Sequence, residues 1–212
     1  MSCWILSTVR TGSSYLCNIL NKTNLFTDIF CEKFPHFDCQ KNLLDNLPSH
    51  TKVHYSQFKR FLDEADKDHI ETILTNLKYI LITRHDRASQ VVSFCIAKKY
   101  RKFYLYTPKS AEEWFATHVE LTDKELLDAW DELGDCGTKW DKYLEGSEYC
   151  RVEYQDLVDR PKDELQRVLS YLQMAVSEEV LERAVSSSTM FRMTKPENEV
   201  YVQRLKKLNI RI

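Results

Sequence analysis

The sequence predicts an α/β protein in which a central, mainly parallel β-sheet is flanked by helices in three layers. Four short segments have the apolar character of buried strands: Trp4–Ser7, Lys52–His54, Tyr79–Thr83 and Tyr149–Glu153. Helical patterns alternate with these segments along the chain. Because strand–helix alternation favours parallel strands with helices packed on both faces of the sheet, the two observations together indicate this fold class.

The third strand and the helix after it give the clearest local signals. Tyr79–Thr83 is a continuous apolar and β-branched run, typical of a strand that is buried on both faces. Apolar residues then recur at helical spacing: Ala88, Val91, Val92, Cys95 and Ile96. A further helix is predicted after the fourth strand, with Asp159 and Pro161 as its start signals. Its apolar positions are Leu165, Val168, Leu169 and Leu172.

The segment between the third and fourth strands is also predicted to be helical. From Ala111 to Leu144 it is rich in charged residues, contains two glycines and no proline, and includes Trp114, Trp130 and Trp140. We therefore expect a helical region at about residues 109–145 that packs on the sheet. No repeat or linker divides the chain, so a single domain over residues 1–212 is expected.

Composition argues against several classes of protein. The 212 residues carry a formal net charge of −2, so no global positive field favours nucleic acid or an anionic membrane as a partner. The N-terminus lacks a signal-peptide pattern, and no apolar run approaches membrane-spanning length. Seven cysteines, odd in number and without a C-x-x-C pair, are typical of reduced thiols in the cytoplasm.

One cluster of potential metal ligands requires an interpretation. Cys31, His36 and Cys39 lie close together, but the usual paired spacing of zinc ligands and an obvious fourth ligand are absent. We interpret this segment as a phenylalanine-rich loop with incidental thiols, and expect no metal site.

The turn after the first strand has the composition of an anion-binding loop. Gly12 permits backbone geometries and a close ligand approach that a side chain would obstruct. Ser13 and Ser14 add hydroxyl donors to the N–H groups of a helix N-terminus, and Arg10 adds a fixed positive charge. Ser13 could instead simply cap the helix that follows.

A second candidate anion element follows the third strand. Ligands of open parallel sheets bind beyond the carboxyl ends of the strands, which is where Arg84 lies. Ser93 is predicted two turns into the next helix. The alternative is a surface arginine and a helix-interior serine. Two separate anion elements together imply a ligand with two separated phosphate-like groups.

These two elements resemble those of the sulfotransferases, whose donor is 3′-phosphoadenosine 5′-phosphosulfate (PAPS) and whose product is adenosine 3′,5′-bisphosphate (PAP). The loop of Arg10, Thr11, Gly12, Ser13 and Ser14 resembles the family's 5′-phosphosulfate loop. Residues 82–94, with Arg84 and Ser93, resemble its 3′-phosphate element, most closely that of the bacterial trehalose-type sulfotransferases of carbohydrates and glycolipids. His85 departs from that pattern and leaves the register open by one residue. The resemblance implies a P-loop-like three-layer fold.

Weaker resemblance extends toward the C-terminus. Residues 152–157 are similar to the segment that precedes the family's helix after the last strand. The segment with Arg192 and Lys195 resembles the C-terminal loop that closes over the nucleotide, which implies a nucleotide-binding role for both residues. Residues 39–51 and 111–148 have no such resemblance, so the sequence names no individual acceptor.

Sulfuryl transfer requires positioning and fixed positive charge rather than a metal. We expect Arg10 and the loop amides to stabilise the departing 5′-phosphate, with assistance from Lys52. A general base must lie near the acceptor hydroxyl. The resemblance implies Glu32 for this role, and His36 and His54 compete because histidine titrates nearer neutral pH.

The acceptor is expected to be a carbohydrate, a glycolipid or another small molecule. Tyr100 lies in a run of alternating basic and aromatic residues that could line the acceptor site, where a tyrosine face suits a sugar ring. Such runs are more often solvated helix ends, and the absence of a second basic face disfavours nucleic acid.

Two other functions remain open at this point. A P-loop kinase also begins with a strand, a glycine-containing loop and a helix, but this loop lacks the G-x-x-x-x-G-K-[ST] lysine and hydroxyl. The chain could also be a degenerate nucleotide-binding protein without transferase activity, since its donor elements are clearer than its base.

Overall fold

The computed structural model describes residues 2–26, 50–64, 74, 77–103, 107–188 and 195–209. The chain divides into two compact units, which are described separately below. The first comprises residues 1–83 and 136–188, and the second comprises residues 84–135 and 189–212. The single domain over residues 1–212 stays a prediction.

The first unit contains a four-stranded parallel sheet with the order β2-β1-β3-β4. Its strands are β1 (Ser2–Ser7), β2 (His50–His54), β3 (Leu77–Thr83) and β4 (Tyr149–Glu153). The predicted α/β class and all four strands are confirmed. The first three strands begin two residues earlier than predicted, because the polar residues Ser2, His50 and Lys78 interrupt the apolar pattern at their starts.

The helices follow in chain order. Those before β4 are α1 (Ser13–Lys22), α2 (Tyr55–Glu64), α3 (Arg87–Tyr100), α4 (Pro108–Ala116), α5 (Asp123–Leu133) and α6 (Cys136–Tyr143). Those after β4 are α7 (Tyr154–Asp159), α8 (Pro161–Tyr171), α9 (Glu178–Ser186) and α10 (Asn198–Asn209). Pro161 begins α8 as predicted, but Asp159 ends α7 and Arg160 is the N-cap of α8. No helix among the described residues combines the length and apolar character needed to cross a membrane.

The sheet of the first unit is covered on both faces. On one face, Ile5 and Ile80 pack with apolar residues of α1, α7, α8 and α9. On the other face, Trp4 and Leu81 pack with α2 and with Trp140 of α6. Both clusters are removed from water, and burial of this kind contributes roughly 1.5–3 kcal/mol for each large apolar side chain. The unit therefore has the predicted three layers.

The predicted helical region at 109–145 comprises α4, α5 and α6. Only α6 belongs to the first unit, where it packs on the sheet, whereas α4 and α5 belong to the second. Within the second unit, α3 contacts α5 and α10. The residues predicted to form the apolar face of α3 are all buried.

Candidate functional site

The loop between β1 and α1 has a backbone that depends on Gly12. Arg10 and Gly12 both have positive φ, 63° and 84°. A Cβ atom at position 12 would lie 2.8 Å from Cδ2 of Tyr154, closer than packed atoms approach. Thr11 is buried, and its hydroxyl donates to the carbonyl oxygen of Thr8 at 3.0 Å. The loop is therefore a fixed turn, in which Thr11 holds the backbone and glycine is required for both conformation and space.

The loop leads directly into the N-terminus of α1. The helix begins at Ser13, its N-cap is Gly12, and no side chain provides a cap hydrogen bond. The interpretation of Ser13 as a simple helix cap is therefore wrong. The first turn of a helix presents N–H groups that have no intrahelical partner and carries a partial positive charge, so an anion is stabilised there.

Lys52 brings a full positive charge to the same helix start. It lies on β2 opposite Ile5 of β1, and is buried, with only 3% of its surface exposed. Its Nζ donates to Oγ of Ser14 in the first turn of α1 at 2.8 Å. A buried ammonium beside a positive helix end creates a local field that favours an anion, since charges interact more strongly when they are shielded from water.

His54 lies two residues further along β2, at its carboxyl end. Its Nδ1 is 3.0 Å from Oγ of Ser7, the last residue of β1. Its backbone N–H donates to Oε1 of Gln57 at 2.9 Å. Ser7 is fully buried, and its carbonyl oxygen accepts the indole N–H of Trp140 at 3.1 Å. The half-buried His54 side chain is thus held by a serine that sequence reasoning missed.

The carboxyl ends of β3 and β4 also carry polar groups. The hydroxyl of Thr83, at the end of β3, donates to Oε2 of Glu153, at the end of β4, at 2.8 Å. Neither residue was predicted as part of a site. Strand ends alone could have suggested them, because every strand of this sheet ends on a polar residue.

In the second unit, Arg84 and Ser93 lie before and within α3. Asp86 is the N-cap of this helix and accepts hydrogen bonds from the backbone and hydroxyl of Ser89 at 3.1 and 2.5 Å. Partial burial acts to raise the pKa of the Asp86 carboxyl, but the Ser89 hydrogen bonds and the charge of Arg84 outweigh it and hold the pKa below its ordinary value. Ser93 is half-buried, and His85 is exposed.

Lys195 and Tyr100 make contacts inside the second unit. The buried ammonium of Lys195 donates to the carbonyl oxygen of Thr117 and lies 4.6 Å from the centre of the Trp114 ring. The Tyr100 hydroxyl donates to the carbonyl oxygen of His118 at 3.1 Å. These bonds order the segment before α5. A nucleotide role for Lys195 and an acceptor role for Tyr100 stay predictions.

The basic residues around Tyr100 pair with carboxylates of the same unit. Lys98 pairs with Glu132, and Lys99 lies 2.9 Å from Oε1 of Glu125. Both lysines are exposed. These pairs favour the interpretation of the run as a solvated helix end.

Several predicted residues lie outside the part of the chain that the structure describes: Glu32, His36, Arg192 and the cysteines Cys31 and Cys39. Within the described part, no group of three or more histidine, cysteine or acidic side chains could hold a metal ion. The absence of a metal from the reaction stays a prediction.

Three solved structures similar to this chain are sulfotransferases or sulfotransferase domains. Mouse sulfotransferase SULT7A1 complexed with PAP matches with a TM-score of 0.59 and 13% identity over 88% of this chain. The match covers 63% of the mouse chain, so this chain spans less than two thirds of that protein. The sulfotransferase domain of the curacin biosynthetic pathway matches with a TM-score of 0.48 and 15% identity, over 97% of each chain. The sulfotransferase domain of the Synechococcus PCC 7002 olefin synthase matches with a TM-score of 0.47 and 15% identity. This match covers 99% of this chain and 94% of that domain.

The match to the mouse structure shows that the two proteins share a fold although their sequence identity is low. No curated protein matches the sequence. A family model described as the sulfotransferase domain matches residues 2–208. Because this match covers nearly the whole sequence, the chain belongs to the sulfotransferase domain family.

Proposed function

We propose that this chain transfers a sulfuryl group from PAPS to a hydroxyl group of a small acceptor. The observation that carries the proposal is the buried Lys52 ammonium bonded to Ser14 at the uncapped start of α1. Family membership supports the reaction, and the PAP complex of the mouse relative supports the donor. The donor's 5′-phosphosulfate would supply an activated sulfuryl group with a phosphate as its leaving group.

The β1–α1 loop fits the phosphosulfate end of such a donor. Gly12 adopts the positive φ that leads the chain directly into α1, and the amides of Ser13 and Ser14 lie at the positive end of that helix. Together with Lys52 and Arg10, they would stabilise the charge that develops on the departing phosphate oxygen. The chemistry needs these fixed charges to be in place before the reaction, and the short turn and buried lysine provide them.

His54 is the general base that the geometry supports best. It lies on the same face of β2 as Lys52, since residues two apart on a strand share a face, and its partner Ser7 directly precedes the loop. As the acceptor oxygen attacks sulfur, His54 would take the hydroxyl proton, the sulfur–oxygen bond to the phosphate would break, and its electron pair would stay on the phosphate. Glu32 and His36 stay alternative proposals for this role.

We propose that Arg84 and Ser93 bind the 3′-phosphate. Arg84→Ala should remove most of the preference for PAP over AMP, because a charge-assisted contact contributes roughly 1.5–3 kcal/mol, about tenfold to a hundredfold in affinity. Ser93→Ala should lose less. The measurement is a titration of each nucleotide into wild type and variant, monitored by melting temperature, which we expect PAP to raise in the wild type.

His85→Ala is the matched control for Arg84→Ala. It changes the exposed neighbour of Arg84 and should leave the preference for PAP intact. If His85→Ala removes the preference and Arg84→Ala weakens PAP and AMP equally, the proposed register is incorrect by one residue.

The acceptor and location are finer proposals. We propose a carbohydrate or glycolipid hydroxyl and a cytoplasmic protein, because residues 84–94 resemble the trehalose-type enzymes and the cysteines Cys3, Cys95 and Cys150 are free thiols. A P-loop kinase is disfavoured because the β1–α1 loop lacks the kinase lysine and hydroxyl pair. A degenerate binder would retain PAP affinity without turnover.

A further inference from the structure

The last residues of β1 and β2 form a polar pair beside the proposed donor loop. Ser7 and His54 are register partners on neighbouring parallel strands, and Ser7 Oγ lies 3.0 Å from His54 Nδ1. Parallel partners place their side chains on the same face of the sheet. Here that face is the one covered by α1, since Ile5, two residues before Ser7, packs in the α1 cluster.

Ser7 is held firmly by its surroundings. It has no exposed surface, and its main chain pairs with β2 on one side and with β3, at Ile82, on the other. Its carbonyl oxygen also accepts the buried indole N–H of Trp140. The ring of Trp140 makes an edge-to-face contact with the ring of Tyr55, and the two ring centroids lie 5.1 Å apart. Ser7 is therefore a rigid reference point for the half-buried His54 ring.

A neutral histidine can act as a base only through the nitrogen that carries no proton. The partner of one ring nitrogen decides which nitrogen that is. We infer that Ser7 is a positioning residue, whose hydroxyl oxygen accepts Nδ1–H of His54 and so directs the lone pair to Nε2, the atom that would take the acceptor's proton. The inference rests on the proposed function for its catalytic meaning, but the hydrogen-bond direction is a property of the protein alone.

This direction suits both states of the reaction. When Nε2 takes a proton, Nδ1 still carries its own proton and the bond to Ser7 persists, so the ring does not reorient during the step. A histidine with its proton on Nε2, accepting the Ser7 hydroxyl at Nδ1, would have no lone pair for the acceptor. Ser7 thus acts through His54 and does not touch the reacting atoms.

The test is the tautomer of His54, observed by ¹⁵N NMR of the imidazole rings at alkaline pH, where the ring is neutral. The His54 signal is assigned by its loss in His54→Gln. We expect Nδ1–H in the wild type and in Ser7→Thr, which keeps the hydroxyl, and a shift toward Nε2–H in Ser7→Ala. Thr83→Val is the matched control, because it removes the other hydroxyl bond at this sheet edge and should leave the His54 signal unchanged.

The inference is overturned if the wild type shows Nε2–H, or if Ser7→Ala leaves the tautomer as it is. The wild-type spectrum decides this even if Ser7→Ala does not fold. With an active acceptor, Ser7→Ala should lower kcat about tenfold with the donor KM unchanged, which is less than the loss expected without His54, and Ser7→Thr should restore kcat. Absence of turnover in every protein would refute the proposed function but not the tautomer, which the spectrum reports independently.

Discussion

His54→Gln is expected to lower turnover by roughly a hundredfold or more, the usual scale for one acid–base group. Glutamine is similar in size and can still form a hydrogen bond, but its amide does not take up a proton. PAP affinity should change little, because the proposed phosphate site lies at the start of α1, where Lys52 donates to Ser14. The measurement is the rate of PAPS-dependent sulfation together with PAP titration of the same variant.

Two matched variants show whether the loss belongs to the base. Lys52→Met should damage donor binding and turnover together, since the ammonium faces the proposed phosphosulfate site in both the ground state and the transition state. Glu32→Gln tests the residue that the family resemblance implies. If Glu32→Gln abolishes turnover while His54→Gln keeps it, the base is Glu32 and our assignment of His54 is incorrect.

Gly12→Ala is expected to destabilise the first unit and to weaken nucleotide binding. The left-handed backbone at φ 84° costs a non-glycine residue about 1–2 kcal/mol. The new Cβ would also lie 2.8 Å from the ring of Tyr154, and overpacking of this kind costs roughly 1–3 kcal/mol. The sum, roughly 2–5 kcal/mol, lowers the melting temperature by about 4–20 °C for a domain of this size.

Gly137→Ala is the control for this substitution. Gly137 lies in α6, has ordinary helical φ, and has no atom within 4 Å of an added Cβ. Alanine is favoured over glycine inside a helix by about 0.5–1 kcal/mol. The melting temperature of this variant should therefore stay the same or rise slightly. Equal losses in the two variants would mean that Gly12 has no special conformational requirement.

The sequence predicts the sheet and its loop because both have local signals. The apolar run of β3 and the glycine–serine turn after β1 each lie within a few residues. Contacts between Lys52 and Ser14, 38 residues apart, and between Ser7 and His54, 47 residues apart, depend on the register of β1 and β2. No local pattern encodes that register, so the sequence places Ser7 at a strand end but does not reveal its contact with His54.

Lys195 illustrates a different limit of sequence reasoning. Its position in a segment resembling the family's C-terminal loop suggests a nucleotide contact, but the sequence does not reveal that its ammonium is buried against Thr117 and Trp114. A lysine in such a segment can bind a nucleotide or can stabilise the packing of the protein itself. Only the packing of the second unit distinguishes the available partners.

Acceptor-dependent release of PAP from PAPS tests the central claim most directly. Wild-type protein is incubated with PAPS and a panel of sugars, glycolipids and small alcohols, with a chelator present, and PAP and sulfated product are quantified together. We predict equal amounts of both, formed without magnesium, and sharply lower rates in Lys52→Met and His54→Gln. Magnesium-dependent phosphoryl transfer from ATP to the same acceptors, with PAPS inert, would contradict the account.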